Sequence, residues 1–364
     1  MLRRLLSLTV ISGCLVLLTM AGCATQQTKP IVLGKLAWPP PPDTTRVEFV
    51  RSITTDKDLV DDTTFKENVI NFLAGTKPIP NHIVEPMGLG VSDDGQILYV
   101  SDTAWQQVFV FDFGNKKFSH IEGFARPLGI ALDGQQNLYV VDQGKKGVRV
   151  VDPTGKELRF ITDQSLVRPT GIAIDRQRSK IYVVDTADEK SSKQQNVKIF
   201  AMDGKLLGHI GKGYGSEPGT FIFPTYVALN SEGDVFVTDT LNNRIQEFDP
   251  NGKYVRTIGS NGDVPGAFGR PKGLAVDTLG NLYVSDSAWS NVQIFNRNGQ
   301  ILMFFSGRGM MPGWLMNPTA MAIDKNNHIY VGDFINHRVE EYKLVNTVLA
   351  DTLGNGPMVA EANK

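Results

Sequence analysis

Six aspartates recur along this chain at near-regular intervals: Asp102, Asp142, Asp185, Asp239, Asp286 and Asp333, separated by 40, 43, 54, 47 and 47 residues. Six carboxylates converging on one axis would make a cation site. Each of them, however, closes an apolar run and opens a turn, where aspartate caps backbone amides just ahead of it. Repetition in every copy favours that architectural role, because a single site rarely needs six equivalents. Other ligand types are sparse. The five histidines (His82, His120, His209, His328 and His337) show no paired metal spacing. The two cysteines, Cys14 and Cys23, both fall in the first 23 residues, so the rest of the chain has no disulfide, thiolate nucleophile or cysteine ligand. No metal and no cofactor are expected.

The aspartates belong to a longer phrase that occurs six times. It reads PMGLGVSDDGQILYVSD from Pro86, PLGIALDGQQNLYVVD from Pro127 and PTGIAIDRQRSKIYVVD from Pro169. The remaining copies are PTYVALNSEGDVFVTD from Pro224, PKGLAVDTLGNLYVSD from Pro271 and PTAMAIDKNNHIYVGD from Pro318. A period in the forties with several short strands per copy is the signature of a β-propeller, here all-β with six blades. Val, Ile, Tyr and Phe fill the strands, and Asp-Gly, Asn-Gly or Gly-Asn pairs separate several of them. The first two strands of each copy are apolar at nearly every residue, which predicts burial on both faces. The third alternates, as in Arg244-Ile245-Gln246-Glu247-Phe248, which predicts a partly exposed strand nearer the rim. A more variable fourth follows.

The sixth copy runs out of strands, while residues 46–53 (RVEFVRSI) form an orphan strand far upstream. The expectation is that this segment pairs as the outer strand of blade six and closes the ring. The propeller then spans residues 45–347, with a closing strand at 45–53, a connecting segment at 54–85 and the blades at 86–347. A short amphipathic helix is expected at 64–73, apolar at Phe65, Val69, Ile70, Phe72 and Leu73. Residues 348–364 read as a loose tail.

Blade four carries Phe223-Pro224, then VALN and GDVFVTDTLNNRIQEFDPNG; residues 211–221 and 259–268 are glycine-rich runs ending in Phe. This pattern resembles the NHL-repeat family over about residues 86–345, most closely in blades four to six. Blades one and two lack the glycine-rich linker, and blade three carries an insert at 187–195. The resemblance implies a six-bladed propeller and leaves function open, since propellers host many chemistries. Enzymes of this architecture hold metal ligands on the innermost strands: histidine in zinc-dependent amidating lyases, and Glu, Asn and Asp in calcium-dependent lactonases. The corresponding positions here follow each repeat proline and are Met87, Leu128, Thr170, Thr225, Lys272 and Thr319. None is a ligand of those kinds, and the nearest ligand-type residue is Asn317.

The first 22 residues read as a signal segment: basic at Arg3 and Arg4, apolar over 5–18, and small at Ala21 and Gly22 before Cys23. This arrangement resembles the bacterial lipoprotein signal, which implies lipid attachment at Cys23. Ala24 after the cysteine implies the outer membrane of a bacterial envelope. Residues 23–44, with prolines at 39–42, then form a tether. Loss of Arg3 and Arg4 leaves 35 basic against 38 acidic residues, a poor balance for neutralising phosphates, so nucleic acid is not an expected partner.

In a propeller, the turn between strands two and three lies on the same face as the linker between blades. Trp105 and Trp289 each follow a repeat aspartate by three residues, Phe334 follows Asp333 directly, and Met310, Met311 and Trp314 lie in the linker from blade five to six. Blades five, six and one are neighbours once the ring closes, so these aromatics share one sector. Trp and Met suit a binding surface, although each Trp could instead cap its own blade's core. The expected function is a non-enzymatic, lipid-anchored scaffold that binds an envelope protein through Trp105, Trp289, Trp314 and Phe334. The alternatives are a propeller hydrolase or lyase with a channel-mouth metal, or capture of a glycan or peptide.

Overall fold

The computed structural model describes residues 36–40, 42–59, 81–188 and 194–346. Six antiparallel sheets form a six-bladed propeller. Blade one contains Pro86–Val91, Ile97–Asp102, Gln107–Asp112 and Lys117–Ile121. Blade four contains Pro224–Leu229, Val235–Asp239, Arg244–Phe248 and Tyr254–Ile258. The other blades repeat this order from Pro127, Pro169, Pro271 and Pro318. The first strands pack against one another around a central channel, each preceded on one face by an interblade linker.

No blade has a core of its own. Apolar side chains gather in six clusters, each drawing on two adjacent blades. Tyr182 and Val184 of blade three, for example, pack with Val235, Val237 and Phe248 of blade four. The second strands are buried at every residue in blades two, four and five. Burial on both faces is what their unbroken apolar sequences predict.

The third strands depart from expectation. Gln246 and Glu247 are buried together with Ile245 and Phe248, so this strand is interior and not partly exposed. Its alternation marks apolar packing on one side and polar bonding to neighbouring loops on the other.

Ring closure follows the sequence expectation. Val47–Ile53 pairs antiparallel with Arg338–Leu344 of blade six, in the register Phe49 to Tyr342 and Ile53 to Val339. Side chains fasten the seam: Ser52 Oγ donates to Glu340 Oε2 at 2.7 Å, and Arg51 Nε donates to Glu341 Oε2 at 2.6 Å. The Arg51 guanidinium also sits 4.0 Å from the centre of the Phe113 ring of blade one. A fifth strand, Ala37–Trp38, lies within the segment read as tether and pairs on the outside of Val47–Ile53. Trp38 stacks its ring edge against Tyr342 at 5.7 Å and lies 6.0 Å from Phe305. The expected helix at 64–73, Cys23 and the tail at 348–364 lie outside the described residues.

Candidate functional site: an aromatic arc on the linker face

The six aspartates are structural. All are buried and take backbone amides of the loop entering their blade, and in Asp239 and Asp333 the second oxygen accepts from side chains such as Asn242 and Asn336. Asp102 Oδ1 accepts from the amides of Ala104 and Trp105, while Oδ2 accepts from Val84 and Glu85 in the preceding linker. Asp286 does the same with Ala288 and Trp289 on one side and Gly269 and Arg270 on the other. Each aspartate therefore pins the turn after its strand to the loop that enters its blade. Burial raises Asp185 and Asp239 above the usual carboxylate range and pushes Asp333 up to about 6, against the pull of the amides that bond them. Among the described residues, no group of three or more His, Cys, Asp or Glu side chains could hold a metal.

At the linker-face mouth of the channel, three of the six residues that follow the repeat prolines are threonines: Thr170, Thr225 and Thr319. Thr319 Oγ1 donates to the Pro86 carbonyl of the next blade at 2.6 Å, and Thr225 and Thr240 bond each other at 2.7 Å. Tyr226 reaches across the ring: its hydroxyl donates to the Met87 carbonyl of blade one at 2.5 Å, and its side chain packs against clusters on both sides. Blades four and one face each other in a ring of six, so this residue bolts the channel. Desolvation raises its phenol strongly.

Asn317, the ligand-type residue nearest the mouth, faces an ammonium group. Lys272 Nζ donates to its Oδ1 at 3.3 Å. Burial, with Arg270 adding repulsion, holds Lys272 below the ordinary lysine range. A positive mouth opposes cation binding. Beyond the bolt, the channel opens into a cavity of about 500 Å³ walled by the first strands, with Ile130, Ile172, Val227 and Leu274 among its lining.

The aromatics expected on this face are there, and they are both anchored and exposed. Trp105 is 39% exposed, with its Nε1 donating to the His82 carbonyl at 3.0 Å. Trp289 is 42% exposed, with its Nε1 donating to the Gly262 carbonyl at 3.1 Å. Trp314 is 38% exposed and lies over Gly307 and Gly309. Phe334 is half-buried, its amide donating to the Asn317 carbonyl at 3.4 Å. Met310 and Met311 project further, at 74% and 59% exposure. Indoles held by their N–H groups lose little further freedom when a partner covers the ring, which favours binding.

The arc is longer than the sequence reading made it. Tyr214, Leu241, Val264 and Ile335 are also exposed large apolar side chains on this face. Leu241 and Ile335 each stand two residues after a repeat aspartate, so the repeat register was the signal that could have found them. Tyr214, Val264 and Met310 occupy the linkers entering blades four, five and six. The corresponding turn of blade two is Gln143-Gly144-Lys145-Lys146, with no large apolar residue.

Three segments of the chain, residues 221–248, 268–295 and 315–342, match the NHL repeat. Each begins at the phenylalanine or leucine that ends a linker and finishes in the third strand of the following blade. The chain is a six-bladed β-propeller that carries NHL repeats in blades four, five and six. This propeller also matches the SMP-30/Gluconolactonase/LRE-like region over residues 68–184. It is similar to chicken (Gallus gallus) NHL repeat-containing protein 2, with 24% identity over 163 residues, 37% of this chain and 22% of that protein. The match thus spans only about a fifth of that relative's length.

Among solved structures, it is similar to a Bacteroides thetaiotaomicron protein of unknown function (TM-score 0.59, 14% identity, 73% of this chain and 70% of that one). A gluconolactonase from Xanthomonas campestris gives a TM-score of 0.56 at 18% identity over 72% and 86% of the two chains. Virginiamycin B lyase from Staphylococcus aureus gives 0.53 at 13% identity over 72% and 96%. At these identities, the likeness is one of fold.

Proposed function

We propose that this NHL propeller is a non-enzymatic scaffold of a bacterial envelope, held to the membrane by lipid on Cys23 and binding a partner protein through the linker face of blades four, five, six and one. The observation that carries this reading is the arc of exposed aromatic and methionine side chains, in which the Trp105 and Trp289 indoles are fixed by hydrogen bonds to linker carbonyls. Trp is enriched at interface hot spots, and Met makes adaptable apolar contacts. The channel mouth supports the same reading, because Thr319 is spent on the next blade, Thr170 and Thr225 are spent within their own, and Asn317 faces Lys272.

Affinity capture from gently solubilised envelopes tests the scaffold, with wild type beside a Trp105→Ala/Trp289→Ala variant whose fold is checked by thermal melting. A stoichiometric protein retained by wild type and lost by the folded variant is expected; both forms coming down alone would sink the reading. Labelled palmitate tests the anchor: incorporation should depend on Cys23 and vanish in Cys23→Ser. A second reading, a propeller hydrolase or lyase, draws on the SMP-30/Gluconolactonase/LRE-like match. Metal analysis of the purified protein with lactone substrates would bring it forward if both were positive.

A further inference from the structure

Beside the arc, between blades five and six, lies a notch of about 310 Å³ whose lining includes Arg270, Arg308, Ser287, Asn317, Met316 and Ile335 and contains no acidic side chain. Arg308 is held across it, Nη2 donating to the Ala288 carbonyl at 3.0 Å. Ser287 Oγ is turned to the Arg270 carbonyl at 3.1 Å. The Arg270 guanidinium has no hydrogen bond or ion pair among the described residues, although its own amide is bonded to Asp286. Lys272 stands behind Asn317 with no carboxylate partner among the described residues. Asp286 and Asp333, close in sequence to the lining residues Ser287 and Ile335, are buried beneath the loops and occupied by backbone amides and, in Asp333, by the Asn336 side chain. Two guanidiniums thus line a small opening with no acidic side chain in its walls, and Lys272 lies behind it on Asn317.

The two tryptophans flank this notch. The Trp289 ring lies against Gly269, which lines it, and the Trp314 ring covers Gly307 and Gly309 on either side of Arg308. We propose that the notch takes a carboxylate of a partner polypeptide while Trp289 and Trp314 take the apolar side chains next to it. The recognised element is a short peptide segment combining one acidic group with aromatic or aliphatic residues. This rests on the reading of the arc as a partner-binding face. An arginine fork matches a carboxylate, and a volume at the small end for ligand pockets suits one side chain or chain terminus. A nucleic acid strand fits worse, because exposed Glu217 and Asp263 on the neighbouring linkers interrupt any positive track for phosphates.

The test is selection from a random dodecapeptide display library on the full chain, followed by titration of the selected peptides made with free and amidated C-termini. Selected peptides should share an acidic residue or depend on a free C-terminal carboxylate, with apolar residues beside it. Their affinity should fall about tenfold in Arg270→Gln, the loss expected for one charge-assisted contact. That side chain has no partner of its own, so the fold should be unaffected; Arg308→Gln should give a similar loss. A loss on amidation alone assigns the notch to a chain terminus, whereas indifference to amidation assigns it to a side chain. Peptides without acidic enrichment that still depend on Trp289 would overturn the notch and leave the scaffold standing. An absence of selected peptides would overturn both, as would a single-stranded oligonucleotide binding in their place.

Discussion

Blades four to six and blades one and two solve the same joint in different ways. In blade four, the third-strand residue Gln246 accepts from the Gly219 amide and donates to the Thr220 carbonyl and to Asp239. Gln293 in blade five holds Gly266 and Ala267, and Glu340 in blade six holds Gly313. Each clamps a glycine-rich linker closed by a parallel bridge: Tyr214 to Phe221, Asn261 to Phe268, and Arg308 to Leu315. The glycines are required there, since a Cβ at Gly211 or Gly259 would run into the Phe221 or Phe268 ring. In blades one and two, the same strand position carries Phe109 and Arg149. Phe109 packs in the core, and Arg149 pairs with Glu157 and lies 4.8 Å from the Phe124 ring. Arg149 also donates from Nη1 to the Glu122 carbonyl, so the short linker into blade two is held at one carbonyl by a long cationic side chain, whereas each long linker is held through its backbone amides. The clamped loops are the ones that present Tyr214, Val264, Met310 and Trp314, so the polar lock and the apolar arc are two sides of one device.

The largest effect should come from breaking a clamp. Gln246→Ala orphans a buried amide, a carbonyl and one contact of Asp239, and should cost on the order of 4 kcal/mol in denaturant unfolding. Arg149→Ala, which removes one partly exposed ion pair and one bond to the Glu122 carbonyl, should cost about 2 kcal/mol. Equal losses would mean that the clamp is not what separates the two regions.

Glu340 sharpens the comparison, because it stands where blades four and five carry glutamine. Burial pushes it up to about 7, and Asp333 nearby adds to this. A carboxyl raised in the folded state binds its proton more tightly there. Its stabilising effect is therefore complete below the ordinary glutamate range and is lost as pH rises to about 7. Glu340→Gln should remove this loss, worth on the order of 2–3 kcal/mol. Urea midpoints at about pH 5 and about pH 8 should then differ less than in wild type. An unchanged pH difference would show that Glu340 is ionised across the range.

Smaller effects on folding are expected on the arc. Trp289→Ala should cost about 1 kcal/mol of stability, since much of the ring is already in water, while weakening partner binding at least about tenfold. Tyr226→Phe, which removes the bolt's single hydrogen bond, should cost about 1 kcal/mol or less and leave partner binding unchanged.

The blades, their order and the closing strand were legible because each rests on a repeated or alternating pattern; Val47–Ile53 alternates well enough to declare its partner. Trp38 was not, because two residues beside a run of prolines have no period to detect. The third-strand glutamines were misread as rim residues, since polarity looks the same whether it meets water or a buried loop amide. Tyr226 was invisible for another reason: its partner Met87 is 139 residues away, across the ring. On the arc, the tryptophans announced themselves by type, whereas Leu241 and Ile335 are single apolar residues in polar turns.

The most direct test is site-specific photocrosslinking in intact envelopes, with the crosslinker at Val264 or Ile335 on the arc and at Lys146 in the blade-two turn. One discrete adduct from the arc positions and none from Lys146 is expected. Adducts of equal yield from both sectors, or from Lys146 alone, would contradict the assignment of the arc as the partner-binding face.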